Sequence, residues 1–309
     1  MPIRSEFYAS NTGPWQNRPA AGYAHHDNVA ADQQDNEKPD HIMNFDDYLQ
    51  QALHNQELSI DPGWGQGRTT FGGLSAALLL AQVEQQASAE QILRSLSISF
   101  CGPLQTGVPF TLQSQPRRVG KSVAHYQAEA IQNDEPVTLL NACYGRERVS
   151  AVEVAYPLQP LGKPGSGTAL PYIKGVTPEF TRHIDFTYVA GGLPFSGSAD
   201  NHLHGWMRFS DGSAPLTNAH LVALIDAWPP VLLQKLRQPA PCASITWSVE
   251  LVSPLHLLAQ PLAADAWLWY EAEIRQAHHG YGHTEARIFS ADGTLLALSR
   301  QLVAVYDKR

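Results

Sequence analysis

One acidic residue, Asp226, lies in an apolar stretch of the chain, residues 218–230. Apolar side chains recur there at helical spacing, which predicts a short buried helix: Leu221, Leu224, Ile225 and Trp228. Residues without charge fill the positions one helical turn away, so no Lys or Arg can pair with the acid: Val222, Ala223, Pro229 and Pro230. A carboxylate in such surroundings tends to have a raised pKa, which makes it a candidate general base. The alternative interpretation is an Asp at a helix end that bonds to backbone.

The positions around this acid suggest how it is packed. Ala219, Ala223 and Asp226 form a narrow row, where another backbone could approach the helix closely. Downstream, Gln301 shares a strand face with apolar residues and should need a buried hydrogen-bond partner. Two hydroxyl residues, Ser244 and Thr246, are predicted by strict alternation to share one strand face.

Composition limits the classes of partner and of site. The formal net charge of −8 over 309 residues argues against nucleic acid or an anionic membrane as the main partner. The three cysteines, Cys101, Cys143 and Cys242, show no CxxC pattern and suggest reduced thiols. Without a recognisable leader or membrane span, we expect a soluble cytoplasmic protein. The histidines complete no recognised metal pattern, so neither a metal nor another cofactor is expected.

The chain is organised as a repeat. Residues 1–42 have the composition of a flexible tail. A capped helix from Asn44 and a second apolar helix, residues 74–83, precede strands that form an antiparallel meander with a turn at 133–136. In the first of these strands, residues 94–100, apolar residues alternate strictly with serines: Leu96, Ile98 and Phe100. Residues 97–104 find an echo at 248–255, after a segment rich in Pro, Gly and Ser. We expect an α+β protein of two halves, 43–155 and 181–309, joined by a linker at 156–180. Each antiparallel sheet is expected to wrap its own helix, and the two sheets to pair edge to edge.

The motifs in these halves resemble those of the type II acyl-CoA thioesterases, from about residue 45 to 305. The resemblance is carried by short segments in both halves: residues 70–73, 100–104, 130–136, 243–245, 292–297, Asp226 and Gln301. It implies a tandem (double) hotdog fold and hydrolysis of acyl-CoA thioesters. It further implies that Asp226 activates a water, which Ser244 and Gln301 orient; many members carry Thr where this chain has Ser244.

Several alternatives stay open beside that interpretation. Thr246 is the rival hydroxyl for Ser244. The backbone N–H groups of Gly72 and Gly73, at the start of the first apolar helix, are candidate oxyanion donors. A non-catalytic acyl-CoA or lipid-binding protein is the alternative function, and a lyase or transferase acting on a thioester is a third. By the repeat offsets, Ser75 and Cys143 stand in the first half where the acid and the amide stand in the second. One active site per chain is therefore expected, in a protein that forms a homodimer.

Overall fold

The computed structural model describes residues 43–55 and 57–307, so the predicted N-terminal tail, residues 1–42, lies outside the described residues. The described part contains three α-helices: α1 (Phe45–His54), α2 (Gly72–Glu84) and α3 (Asn218–Asp226). The side chain of Asn44 caps α1, as its sequence predicts, by accepting a hydrogen bond from the Asp47 backbone N–H at 2.9 Å. No helix among these residues has both the length and the apolar character needed to cross a membrane.

The strands fall into two groups along the chain. The first group comprises β1 (Glu57–Leu58), β2 (Gly65–Gln66), β3 (Thr69–Thr70), β4 (Ile92–Phe100), β5 (Phe110–Val119), β6 (Val123–Gln132) and β7 (Glu135–Gly145). The second comprises β8 (Thr168–Leu170), β9 (Ile184–Ala190), β10 (His202–Phe209), β11 (Cys242–Leu251), β12 (Leu268–His278), β13 (Tyr281–Ser290) and β14 (Leu295–Val305). Asn133 and Asp134 form the predicted turn between β6 and β7, and both have positive φ angles, as a tight hairpin requires.

Twelve of these strands form one antiparallel sheet in the described residues. Its order is β1-β5-β6-β7-β4-β11-β14-β13-β12-β10-β9-β8, while β2 and β3 pair separately. The two groups of strands meet where β4 pairs with β11, and Ser97 lies opposite Ser248 in that pairing. Since the repeat in the sequence also relates Ser97 to Ser248, a local twofold axis passes through this pair. The predicted edge-to-edge pairing of two repeated sheets is confirmed.

The sheet encloses the two apolar helices. Ten of the thirteen residues of α2 and seven of the nine residues of α3 are buried, so these helices are apolar on nearly all sides. α2 lies against β5, β6 and β7, while α3 contacts both α2 and β10. This is the arrangement of a tandem hotdog fold. The short strand β8 falls within the segment predicted as a linker, and the domain boundaries at 155 and 181 stay predictions.

Candidate active site

The candidate base predicted from the sequence, Asp226, lies at the end of α3. Asp226 is the last residue of this helix, and the Trp-Pro-Pro sequence after Ala227 prevents the helix from continuing. Its Oδ1 atom accepts a hydrogen bond of 2.7 Å from Nε2 of Gln301, which lies on β14. The buried partner predicted for the Gln301 amide is thus Asp226, 75 residues away in the chain.

The N-terminus of α2 lies against the same carboxylate. A Cβ atom on Gly72 would stand 2.7 Å from Oδ2 of Asp226 and 3.2 Å from the ring of Phe100. On Gly73 it would stand 2.8 Å from the backbone oxygen and 3.0 Å from Cα of Ala223. Gly73 is therefore needed for the two helices to meet this closely, and Gly72 leaves room for the Asp226 carboxylate and the Phe100 ring. The prediction that a backbone approaches the small-residue row of α3 is confirmed.

The electrostatics of Asp226 follow from this packing. Part of the residue stays accessible to solvent, but surrounding protein atoms desolvate its carboxyl group. Desolvation raises the pKa of Asp226 to about 7, against the opposing effects of the hydrogen bond from Gln301 and of the nearby Gly73 backbone. Asp226 thus combines the two interpretations offered by the sequence. Its carboxyl group is desolvated in apolar surroundings, and it lies at a helix end where it also interacts with backbone. Near neutral pH such a group can take up and release a proton.

The strand β11 departs from the predicted alternation at Ile245. In its pairing with β14, Ser244 lies opposite Val303 and Thr246 lies opposite Leu302, so Ile245 has no partner. This is a β-bulge, in which one extra residue shifts the strand register. Because directly opposed residues share a face, Ser244 lies on the inner face with buried Val303. Thr246 lies on the outer face and is exposed.

The prediction that Ser244 and Thr246 share one face is therefore wrong. Gln301 lies opposite Trp247, which is buried, so Gln301 and Ser244 are on the same inner face of the sheet. The structure thus brings Asp226, Gln301, Gly72 and Gly73 into direct proximity. It places Ser244 on the same surface but in no hydrogen bond to them among the described residues.

Two aromatic residues near this site were missed by the sequence reasoning. Phe100 packs where a side chain on Gly72 would stand. Burial raises the pKa of the Tyr270 phenol, and the negative charge of Asp226 contributes to the same effect. Tyr270 also stacks on Trp228, two residues after the acid, with ring centroids 5.4 Å apart. The only signal for Tyr270 in the sequence is its place in the aromatic run 267–270, which does not point to Asp226.

Comparison with known proteins agrees with this fold. Residues 60–145 match the acyl-CoA thioesterase N-terminal domain, and residues 159–305 match the acyl-CoA thioesterase C-terminal domain. Together these matches cover most of the chain, in the order of the two halves. No curated protein matches the sequence significantly.

Solved structures show the same fold at low sequence identity. A hotdog-fold protein of unknown function from Alicyclobacillus acidocaldarius is 24% identical, with a TM-score of 0.71, over 82% of this chain and 93% of that one. The acyl-CoA thioesterase II TesB2 of Mycobacterium marinum is 21% identical, with a TM-score of 0.59, over 78% of this chain and 90% of that one. The tesB protein of Mycobacterium avium subsp. paratuberculosis is 16% identical, with a TM-score of 0.63, over 84% of this chain and 100% of that one. Both domain matches and this shared architecture lead to one conclusion: the chain belongs to the acyl-CoA thioesterase family and is a thioester hydrolase.

Proposed function

We propose that this enzyme hydrolyses acyl-CoA by means of a water molecule that Asp226 activates. The observation that carries the proposal is the 2.7 Å hydrogen bond from Gln301 to a desolvated carboxylate whose pKa is raised to about 7. A base with that pKa is largely ionised at slightly alkaline pH and still binds a proton well enough to accept one from water. Gln301 holds the carboxylate in one orientation, and its amide oxygen is available to a water.

The reaction needs no covalent intermediate. Asp226 takes one proton from the water while the water oxygen adds to the thioester carbonyl carbon. The tetrahedral intermediate then collapses, the carbon–sulfur bond breaks, and the proton passes to the departing thiolate of coenzyme A. The products are a free acid and coenzyme A.

The start of α2 supplies a donor for the oxyanion. At a helix N-terminus the first backbone N–H groups have no partner inside the helix, and the helix dipole favours negative charge there. The N–H of Gly73 interacts with Asp226, which leaves the N–H of Gly72 as the better placed of the two predicted oxyanion donors. Ser244, on the inner face of β11, is the hydroxyl that we assign to orienting the water.

The test is release of free thiol from acyl-CoAs of increasing chain length by wild-type protein and by Asp226→Asn. Removing a general base should lower kcat/KM by roughly 10²- to 10⁴-fold. Asp265→Asn is the matched control, because the Asp265 side chain is 74% exposed and should give wild-type rates. An Asp226→Asn enzyme that kept its rate within tenfold would contradict the mechanism. Tight acyl-CoA binding by the wild type without turnover would instead favour the acyl-CoA-binding alternative.

Two further expectations from the sequence belong with this proposal. We infer a homodimer and a cytoplasmic location for the enzyme. Light scattering of the purified protein tests the first, and fractionation of the source cells tests the second.

A further inference from the structure

The other end of the helix pair repeats the arrangement around Asp226. Glu84 is the last residue of α2, and its Oε1 atom accepts a hydrogen bond of 2.8 Å from Nδ2 of Asn218, the first residue of α3. At the first site, the last residue of α3 is a carboxylate that faces the first residue of α2 and accepts from a primary amide. The same two functional groups therefore occur at both ends of the two helices.

A cavity of about 200 Å³ opens beside Glu84. Its walls combine polar and apolar groups, among them Glu84, Ser88, Leu93, Tyr144, Asn218 and Pro254. Ligand sites for whole small molecules are usually 300 Å³ or larger, so this cavity is suited to a short group rather than to a long acyl chain. None of its lining residues is Asp226, Gln301, Gly72 or Gly73, so it is distinct from the first site.

The Tyr144 hydroxyl is the observation that points to a ligand. Tyr144 is only 2% exposed, and its hydroxyl has no hydrogen-bond partner in the described part of the chain. Buried hydroxyls are almost always paired, since an unmet hydrogen bond costs about 1–3 kcal/mol. Glu84 and Tyr144 line the same cavity, and the charge of Glu84 adds to burial in raising the pKa of this phenol. An oxygen atom of a bound molecule could satisfy the hydroxyl beside the carboxylate.

Glu84 has the properties of a base that substrate can reach. It keeps partial exposure to solvent, while burial raises the pKa of its carboxyl group against the hydrogen bond from Asn218. The direction is the same as for Asp226, and it has the same physical cause.

We propose that Glu84, Asn218 and Tyr144 form a second hydrolytic site, which takes a short-chain acyl thioester. Carboxylate, amide and hydroxyl are the groups that Asp226, Gln301 and Ser244 present at the first site. Glu84 accepts a proton from water, the water oxygen adds to the carbonyl carbon, and Tyr144 donates a hydrogen bond to the resulting oxyanion. As the carbon–sulfur bond breaks, Glu84 returns the proton to the thiolate, which gives an acid and a thiol.

The expectation of one site per chain rested on Ser75 and Cys143, which the repeat offsets place opposite Asp226 and Gln301. The proposed second site takes its acid instead from the end of α2, nine residues after Ser75, and its hydroxyl from Tyr144, next to Cys143. Repeat offsets relate strand positions well but do not locate a carboxylate on a helix that is four residues longer than its counterpart.

The test uses the full-length chain with the first site disabled by Asp226→Asn. Release of thiol from S-acetyl-N-acetylcysteamine, a small thioester, should persist above the spontaneous rate in this variant. Adding Glu84→Gln should lower the residual rate at least about tenfold, as loss of a general base implies. Glu90→Gln is the matched control, since Glu90 is exposed, pairs with Arg146 and is not among the described residues that line the cavity.

Tyr144→Phe is a second test variant that should fold normally. It removes only a hydroxyl without a hydrogen-bond partner in the described residues, and it keeps the ring packed on Tyr126. It should also lower the residual rate. Residual hydrolysis that is absent, or that is the same with and without Glu84→Gln and Tyr144→Phe, would overturn the second site. Long-chain acyl-CoA turnover in Asp226→Asn alone judges the first site, so the two proposals fail by different results.

Discussion

Replacing Asp226 by Asn should make the protein more stable while it removes activity. Above pH 7 the wild-type protein holds a charged carboxylate in desolvated surroundings, and burial has raised its pKa from an ordinary value of 3.8 to about 7. Each pH unit of difference corresponds to about 1.36 kcal/mol. The charge therefore costs up to about 4 kcal/mol of unfolding free energy, and less in practice because the residue is partly accessible.

The sign of the pH dependence follows from proton binding. Between pH 4 and pH 7 the folded protein holds a proton on Asp226 that the unfolded chain has released. The folded state thus binds more protons, and its stability must fall as pH rises through this range. Asn at this position cannot ionise, so the stability of the variant should not fall in this way as pH rises. The unfolding free energy of Asp226→Asn should therefore nearly equal that of the wild type at pH 4 and should exceed it by the full amount at pH 8.

Urea unfolding of the wild type and of Asp226→Asn at pH 4.5, 6 and 8 measures the difference. Asp265→Asn serves as the control for loss of a surface carboxylate. We expect the unfolding free energy of Asp226→Asn to exceed that of the wild type by roughly 2–4 kcal/mol at pH 8. A gain that is equal at all three pH values, or a variant less stable than the wild type at pH 8, would refute the idea that desolvation governs this carboxyl group.

Three further predictions concern the neighbours of the acid. Gln301→Leu removes a hydrogen bond to a charged group, and such a bond is worth about 1.5–3 kcal/mol. The inflection of kcat/KM against pH should therefore move up by roughly one to two pH units. An unchanged profile would contradict the role of the amide. Ser244→Ala should lower kcat roughly tenfold or more, and Thr246→Ala should leave it within about twofold, since only Ser244 lies on the inner face; the opposite ranking would reassign the hydroxyl. Gly73→Ala should destabilise the protein by roughly 1–3 kcal/mol in urea unfolding, because its Cβ would lie 2.8 Å from the Ala223 oxygen; unchanged stability would show that the helices can separate freely.

Features set by local pattern were predictable from the sequence. The apolar periodicity indicated α2 and α3, and the alternation of Leu96, Ile98 and Phe100 with serines indicated β4. The absence of a local ion partner singled out Asp226, because partners within one helix are fixed by spacing. The repeat indicated two related halves, and the structure pairs them at β4 and β11, where Ser97 lies opposite its counterpart Ser248.

Features set by distant contacts were not predictable in this way. The bulge at Ile245 exists only in the pairing of β11 with β14, so no pattern within β11 reveals it. The Asn218 amide reaches Glu84 across 134 residues, and neither residue stands out in its own segment. In both cases the deciding partner lies on another element, and for β11 strict alternation predicted the wrong face for Thr246.

The pairing of β4 with β11 also has a consequence for synthesis of the chain. Ser97 and Ser248, which face each other there, are 151 residues apart in the sequence. At translation rates of about 5–20 residues per second, the edge of β4 waits roughly 8–30 s for its partner to be made. An open edge is prone to pairing with other chains during that time. The serines that alternate along β4 make one face of this unpaired strand polar, but its backbone edge stays open until β11 is made.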